Sequence, residues 1–187
     1  MTTAATSDGH DVAAASERRW AIIVMVIIAL LVAMMIFTGL KWAAMPPSRV
    51  ETIDPRTLHI DGEFVESNLG TTVAADGRVV TRIVAQQYSF EPQCLVVPVD
   101  TPVTFRATST DVIHGFVIGK TNANVMLIPG YVATFTTTFP KAGEQLMPCH
   151  EFCGSGHAAM WARVQALPRD EFLSRSRAGE RMSCVPR

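Results

Sequence analysis

Residues 149–160 read Cys-His-Glu-Phe-Cys-Gly-Ser-Gly-His-Ala-Ala-Met, which places two thiols (Cys149 and Cys153), the imidazole of His157 and the thioether of Met160 in one short segment. A second imidazole, His114, stands upstream in Asp111-Val112-Ile113-His114. Thiolate and thioether are soft donors and imidazole suits copper, so this set selects copper over hard cations. Zinc accepts Cys and His but gains little from a thioether. Iron–sulfur clusters use four Cys, or two Cys with two His at a different spacing. A mononuclear blue-copper site takes one Cys, two His and an axial Met. Here a second Cys is added four residues from the first, and two thiolates on one tight loop can each bridge two metals. The backbone carbonyl of Glu151, lying between the two Cys, completes a set of six donors. Taken singly, each group has a structural reading: a strained disulfide, a buried Met, a core or surface His. Their joint spacing favours a dinuclear copper centre.

Electron transfer at such a centre needs no general acid and no nucleophile. The protein's contribution is ligation, burial and orientation, so no catalytic residue is expected in this chain. A metal-holding loop must hang on a rigid scaffold, and the rest of the sequence supplies one. Short runs rich in Val, Thr, Phe and Ile at 78–85, 95–99, 101–108, 112–118, 131–139 and 144–147 read as strands. Turn signals separate them at Glu91-Pro92, Pro98-Val99-Asp100, Asn122–Asn124, Pro129-Gly130 and 140–143. Such spacing predicts an all-β sandwich or barrel of Greek-key type. A short helix is expected over 170–178.

Ahead of the sandwich, the stretch 20–40 is apolar and carries no charge, long enough for a bilayer core of ~30 Å. Trp20 and Trp42 bracket it at interfacial positions. A cleaved signal peptide would have a shorter apolar region and small residues at a cleavage site. The expected organisation is a disordered cytoplasmic tail (1–15), one transmembrane helix (16–42), a linker and membrane-proximal segment (43–77), the copper domain (78–167) and a C-terminal tail (168–187). Arg18 and Arg19 precede the helix but Lys41 and Arg49 follow it, so basic residues do not orient it. A formal net charge of −1 gives nucleic-acid binding no electrostatic support.

The pattern Cys149-x-Glu151-x-Cys153-x3-His157-x2-Met160, with His114 upstream, resembles the CuA signature of subunit II of haem–copper cytochrome c oxidases. The runs Asp111–Phe116 and Asn122-x-Asn124-Val125-x3-Pro129-Gly130, and the single anchor helix, are most similar to the B-type branch. The resemblance implies a cupredoxin-like fold and a mixed-valence copper pair. His114 and Met160 would serve one copper, His157 and the Glu151 carbonyl the other, with Cys149 and Cys153 bridging. Electrons would come from a periplasmic cytochrome c or small copper protein and leave to haem in subunit I, within a complex of further subunits. Quinol-oxidase relatives lack these ligands. In A-type relatives the glutamate matching Glu151 also touches magnesium at the subunit I interface.

Such copper domains are loaded outside the cytoplasm, which implies an N-terminus inside and the copper domain outside. The aromatic residues Tyr88 and Phe90, with Trp161 beside Met160, resemble a donor-docking region. Glu17, opening Glu17-Arg18-Arg19-Trp20, resembles a glutamate at the mouth of a proton path in B-type relatives. Cys94 and Cys184 remain outside the motif, either bridged or as two thiols. Rival functions are the copper-bearing small subunit of a nitric oxide reductase and a membrane-tethered copper chaperone. A chaperone would favour clustered, exchangeable Met and His, which the sequence does not have.

Overall fold

Alternation of large apolar residues with polar ones sets the two faces of the central strands. The computed structural model describes residues 5–42, 50–176 and 180–184, the side chains of 5–10 and Trp42 excepted. In chain order the elements are α1 (Ala5–Trp42), β1 (Gly70–Val73), β2 (Val79–Gln86), β3 (Ser89–Glu91), β4 (Cys94–Pro98), β5 (Val103–Ser109), β6 (His114–Val117), β7 (Asn124–Leu127), β8 (Ala133–Thr137), β9 (Gly143–Pro148), β10 (Trp161–Leu167) and α2 (Arg169–Arg175). One sheet runs β1-β2-β5-β8 with β3 paired to β2. A second runs β4-β10-β9, and β6 pairs with β7. The β2/β5 and β4/β10 pairs are parallel and the others antiparallel.

Val79, Thr81, Ile83 and Ala85 of β2 and Val103, Phe105 and Ala107 of β5 turn inward. They meet Leu95 and Val97 of β4 and Val164 and Ala166 of β10 in one core. A row of rings crosses it: Phe105 stacks on Phe135 at 5.1 Å, Phe135 meets Phe116 at 6.0 Å, and Phe116 meets Phe90 edge-on at 5.9 Å. Each buried ring contributes about 1.5–3 kcal/mol by leaving water. Phe90 is therefore fully buried core, and the expectation that it helps form an exposed docking patch does not hold.

Two further expectations change. The composition of residues 1–15 predicts disorder, yet α1 begins at Ala5. The apolar helix supplies the costly nucleus, and Ala5 and Ala13–Ala15 then extend it at little cost. The linker expected over 43–77 is part of the sandwich from residue 50 onward, the compact unit being Arg49–Arg187. Leu58, Phe64 and Leu69 bury themselves over Val84 on the outer face of β2. The Pro46-Pro47-Ser48 linker reading and the 177–178 end of the expected helix lie outside the described residues. Strand β10, which no expected run contained, is the central strand of the second sheet. In the described part of α1 the apolar side chains lie exposed, and Thr38 donates its hydroxyl to the Met34 carbonyl, so its polar group is satisfied within the helix. That helix is long and apolar enough to cross a membrane.

A charge cluster holds the 50–69 segment down. Arg82 and Arg106 are direct register partners on β2 and β5, an arrangement that repels. Glu63 lies between them, accepting from Arg82 Nε at 2.9 Å and from Arg106 Nε at 2.6 Å, and Glu51 accepts from Nη1 and Nη2 of Arg106. Backbone pairing of Thr52 with Tyr131 continues the attachment. The C-terminal segment is held similarly: Met182 pairs with Thr71, Ser183 with Leu95, and Cys184 is bonded to Cys94 across 90 residues. The bridge left open at the sequence level is thus formed.

Burial opposes the Glu63 charge, but the hydrogen bonds and charge of Arg106, then those of Arg82, outweigh it and hold the carboxyl below its ordinary range. A depressed carboxyl contributes stability above its unfolded value, ~4.3, and loses it as pH falls through the lowered folded value. Glu63→Gln should therefore cost ~1–3 kcal/mol at neutral pH, with the deficit shrinking below about pH 4. Urea unfolding of the detergent-solubilised chain at several pH values checks this, and equal midpoints at pH 7 would remove the clamp.

Candidate metal centre

Strands β9 and β10 form a ladder that ends at the pair Trp161–Pro148, and the chain between them must turn back within 149–160. The Cys149 N–H donates to the Met160 carbonyl at 2.9 Å and closes this loop at its base. A 3-10 turn over His157–Ala159 brings His157 round, with its N–H on the Gly154 carbonyl at 3.1 Å. The loop is tied to β6 by the Phe116–Cys149 bridge and by the His150 N–H on the Gly115 carbonyl at 3.1 Å. That approach demands glycine: a Cβ on Gly115 would lie 2.5 Å from the His150 ring.

These ties place the expected donors together. The Cys149 and Cys153 sulfurs lie 4.0 Å apart, far beyond a disulfide bond length. His114 Nδ1 is 3.9 Å from Cys149 Sγ, and His157 Nδ1 is 3.6 Å from Cys153 Sγ. Met160 Sδ is 3.7 Å from Cys153 Sγ, and the Glu151 carbonyl is 3.3 Å from Cys149 Sγ. Two ligands on one metal at ~2.3 Å each cannot be more than ~4.6 Å apart, and every one of these separations satisfies that limit. His114, Cys149 and Cys153 are the one group of three or more His, Cys, Asp or Glu donors drawn that close among the described residues. His114 and Met160 are essentially inaccessible and both thiols are buried. The donors are soft, converging and dry, which fits copper.

Asp111, which had no role assigned from the sequence, orients His114. Its Oδ1 lies 2.8 Å from His114 Nε2, leaving Nδ1 to face the thiols. Burial opposes the Asp111 charge, but hydrogen bonds from His114 and from the Gln87 and Val112 N–H groups outweigh it and keep the carboxyl below its usual range. An ionised partner on one ring nitrogen fixes the tautomer that offers the other as a ligand. A carboxylate three residues before a ligand histidine was the available signal.

The remaining expected residues are more scattered. The Glu151 carboxylate lies beside His150, 3.5 Å away, and belongs to no cluster of three acidic or metal-ligating side chains among the described residues. Tyr88 and Trp161 are partly exposed, and Arg163 lies over the Trp161 ring. Phe152, not singled out from the sequence, is 80% exposed on the loop, its ring against His157. Glu17 is exposed on α1, in the other compact unit.

Burial, then the neighbouring Cys149, pushes the Cys153 thiol up to about 11. Loading a metal must displace that proton, so thiolate supply limits the free site. In the metal-free, anaerobic chain, Cys153 alkylation should rise ~tenfold per pH unit and still be rising at about pH 10, whereas an ordinary thiol of pKa ~8.5 levels off above about pH 9. Such a plateau would contradict the shift.

Comparison with known proteins finds one family. The family model for the periplasmic domain of cytochrome c oxidase subunit II matches residues 85–167. A cytochrome c oxidase subunit 2 of Thermus thermophilus is 28% identical over 157 residues, covering 83% of this chain and 94% of that one. A second Thermus thermophilus subunit 2 is 31% identical over 119 residues, covering 64% of this chain and 88% of that one. Among solved structures, a chain of a heme-copper terminal oxidase dimer superposes with a TM-score of 0.55 at 27% identity, covering 81% of this chain and 99% of that chain.

Proposed function

Because the chain belongs to the cytochrome c oxidase subunit II family, we propose that His114, Cys149, the Glu151 carbonyl, Cys153, His157 and Met160 hold the copper pair of its electron-accepting site. The observation that carries this reading is the convergence of His114 Nδ1 and the two thiols within 4.8 Å of one another, in a dry pocket. The chain is the subunit of a haem–copper oxidase that accepts electrons and delivers them to haem in subunit I; oxygen chemistry belongs to that partner. Bound copper supplies one-electron exchange. The protein's own part is to hold the donors still. His114 and Met160 would serve one copper, and His157 and the Glu151 carbonyl the other, with both thiolates contributing to the pair. Asp111 keeps His114 in the ligating tautomer. The dry core beneath the loop, including the Phe90–Phe116 pair, keeps water from rearranging around the site.

The finer assignments follow the same logic. A periplasmic cytochrome c or small copper protein docks against the exposed aromatics Tyr88 and Trp161, whose rings give a small, transient contact an apolar centre. The Glu151 carboxylate, with His150, is the group available to a magnesium ion shared with subunit I. The N-terminus lies inside and the copper domain outside the cell membrane, where thiolate-bound copper is loaded. Glu17, at the inner end of the anchor, collects protons for the partner subunit.

Cys149→Ser or Cys153→Ser in the copper-loaded chain should abolish the dinuclear spectrum. Met160→Leu should keep two coppers per chain with an altered potential, because thioether is a weak ligand. A mixed-valence signal intact in Cys149→Ser overturns the ligand set. In the assembled oxidase with saturating donor, Trp161→Ala should slow copper reduction severalfold with copper retained. Glu17→Gln should leave copper reduction fast and lower steady-state turnover. Unchanged rates remove the residue concerned from its role.

A further inference from the structure

The donors come from two pieces of chain that no sequence motif connects: Asp111–His114 and the 149–160 loop. We propose that Gln87, in the turn between β2 and β3, is the positioning residue that fastens these two pieces to one another, an inference that rests on the copper reading above. Its backbone N–H donates to Asp111 Oδ2 at 2.7 Å, and Asp111 holds His114. Its side-chain Nε2 donates to the Cys153 carbonyl at 2.5 Å, in the middle of the ligand loop. One residue thus touches the support of a ligand on one side and the main chain of a ligand on the other.

The ligand loop is shaped to accept this turn. Gly154 follows the Cys153 carbonyl with φ +131, a conformation that L side chains rarely adopt, and a Cβ there would lie 2.6 Å from the Tyr88 hydroxyl and 3.0 Å from Gln87 Nε2. A Cβ on Gly156 would lie 2.5 Å from the Tyr88 ring. Tyr88 also meets Ser155 through its hydroxyl at 3.3 Å. Residues 153–156 therefore lie flat on the Gln87–Tyr88 turn, and the orientation of the Cys153–Gly154 peptide is set by the Gln87 amide. That peptide stands between the Cys153 thiol and the turn that carries His157, whose N–H bonds to the Gly154 carbonyl. Releasing the Cys153 carbonyl loosens Cys153 and His157 together, and leaves His114 in place because its link to Gln87 is through the backbone. Gln87 itself is exposed, so changing it does not open the core.

The variant Gln87→Met keeps the length and removes the donor, whereas Gln87→Lys keeps an N–H donor. A hydrogen bond of net ~1 kcal/mol corresponds to about a fivefold change. In the full chain in detergent, Gln87→Met should lose copper to a chelator about fivefold faster than wild type. In the metal-free chain, hydrogen exchange of the 149–160 segment should speed up by a similar factor, with the global unfolding constant rising by no more than that same fivefold. Gln87→Lys should recover both. Wild-type behaviour of Gln87→Met in both measurements overturns the proposal, as does a Gln87→Lys chain as labile as Gln87→Met, or a rise in the global unfolding constant far beyond fivefold, which would mark a general loss of structure. If the wild-type chain takes up no copper pair, the copper reading falls. The exchange arm then still decides whether Gln87 holds the loop.

Discussion

Two thiols held 4.0 Å apart on one short loop are the constraint on which the rest of this domain depends. Left on a free chain, a Cys-x3-Cys pair has many conformations, and each donor brought to a metal would have to be ordered at the moment of binding. Ordering costs ~1–2 kcal/mol per residue in backbone freedom alone. The loop meets that cost in advance. The Cys149–Met160 hydrogen bond closes its base, the Phe116–Cys149 bridge ties it to the neighbouring strand, and the 3-10 turn sets His157. A redox centre also has to keep nearly the same geometry in both oxidation states, and preorganised ligands serve that end as well as they serve affinity.

The sandwich explains why such a loop can be rigid. Strand β10 leaves the loop directly and runs between β4 and β9, so any movement of Met160 has to drag the central strand of a sheet. Strand β6 leaves His114 directly and carries Phe116 into the aromatic row. Both halves of the site therefore sit at the starts of strands whose side chains are packed at close to crystal density, where small shifts are resisted. The outer attachments serve the same core from further away. Glu63 neutralises two arginines that would otherwise repel across β2 and β5, and the Cys94–Cys184 bridge holds the last described residues against β1 and β4.

The convergence of the proposed donors was readable because most of them are local in sequence and chemically uncommon: two Cys, a His and a Met stand at fixed offsets on one loop. The two-sheet architecture was readable from the Val- and Thr-rich runs. What stayed hidden depends on contacts between distant segments. Asp111 is marked only by standing three residues before His114, and nothing in Gln87 alone marks it, since its role exists only where the β2–β3 turn meets the loop. Phe90 was misplaced for the same reason: aromatic composition does not tell a docking ring from a core ring, and alternation over a three-residue strand is too short to decide. The 50–69 segment reads as polar linker because only Leu58, Phe64 and Leu69 anchor it, and their irregular spacing matches neither a helix nor a strand.

The burial of the donors is uneven, and that unevenness has a consequence for how charge moves. His114 and Met160 are closed off, the thiols nearly so, while His157 is only half-buried and Phe152 beside it stands out in solvent. Water reaching the thiolates would reorganise with every change of charge and would screen the field of the donors. Shielding the sulfurs while leaving one imidazole near the surface avoids that, because the His157 ring, a proposed ligand, is also the boundary. A partner protein covering Phe152 and His157 would complete the dry shell on that side. Tyr88, lying across Gly154 and Gly156, covers the loop on a second side and is itself half in solvent. The loop thus meets solvent mainly through two aromatic residues, Tyr88 and Phe152.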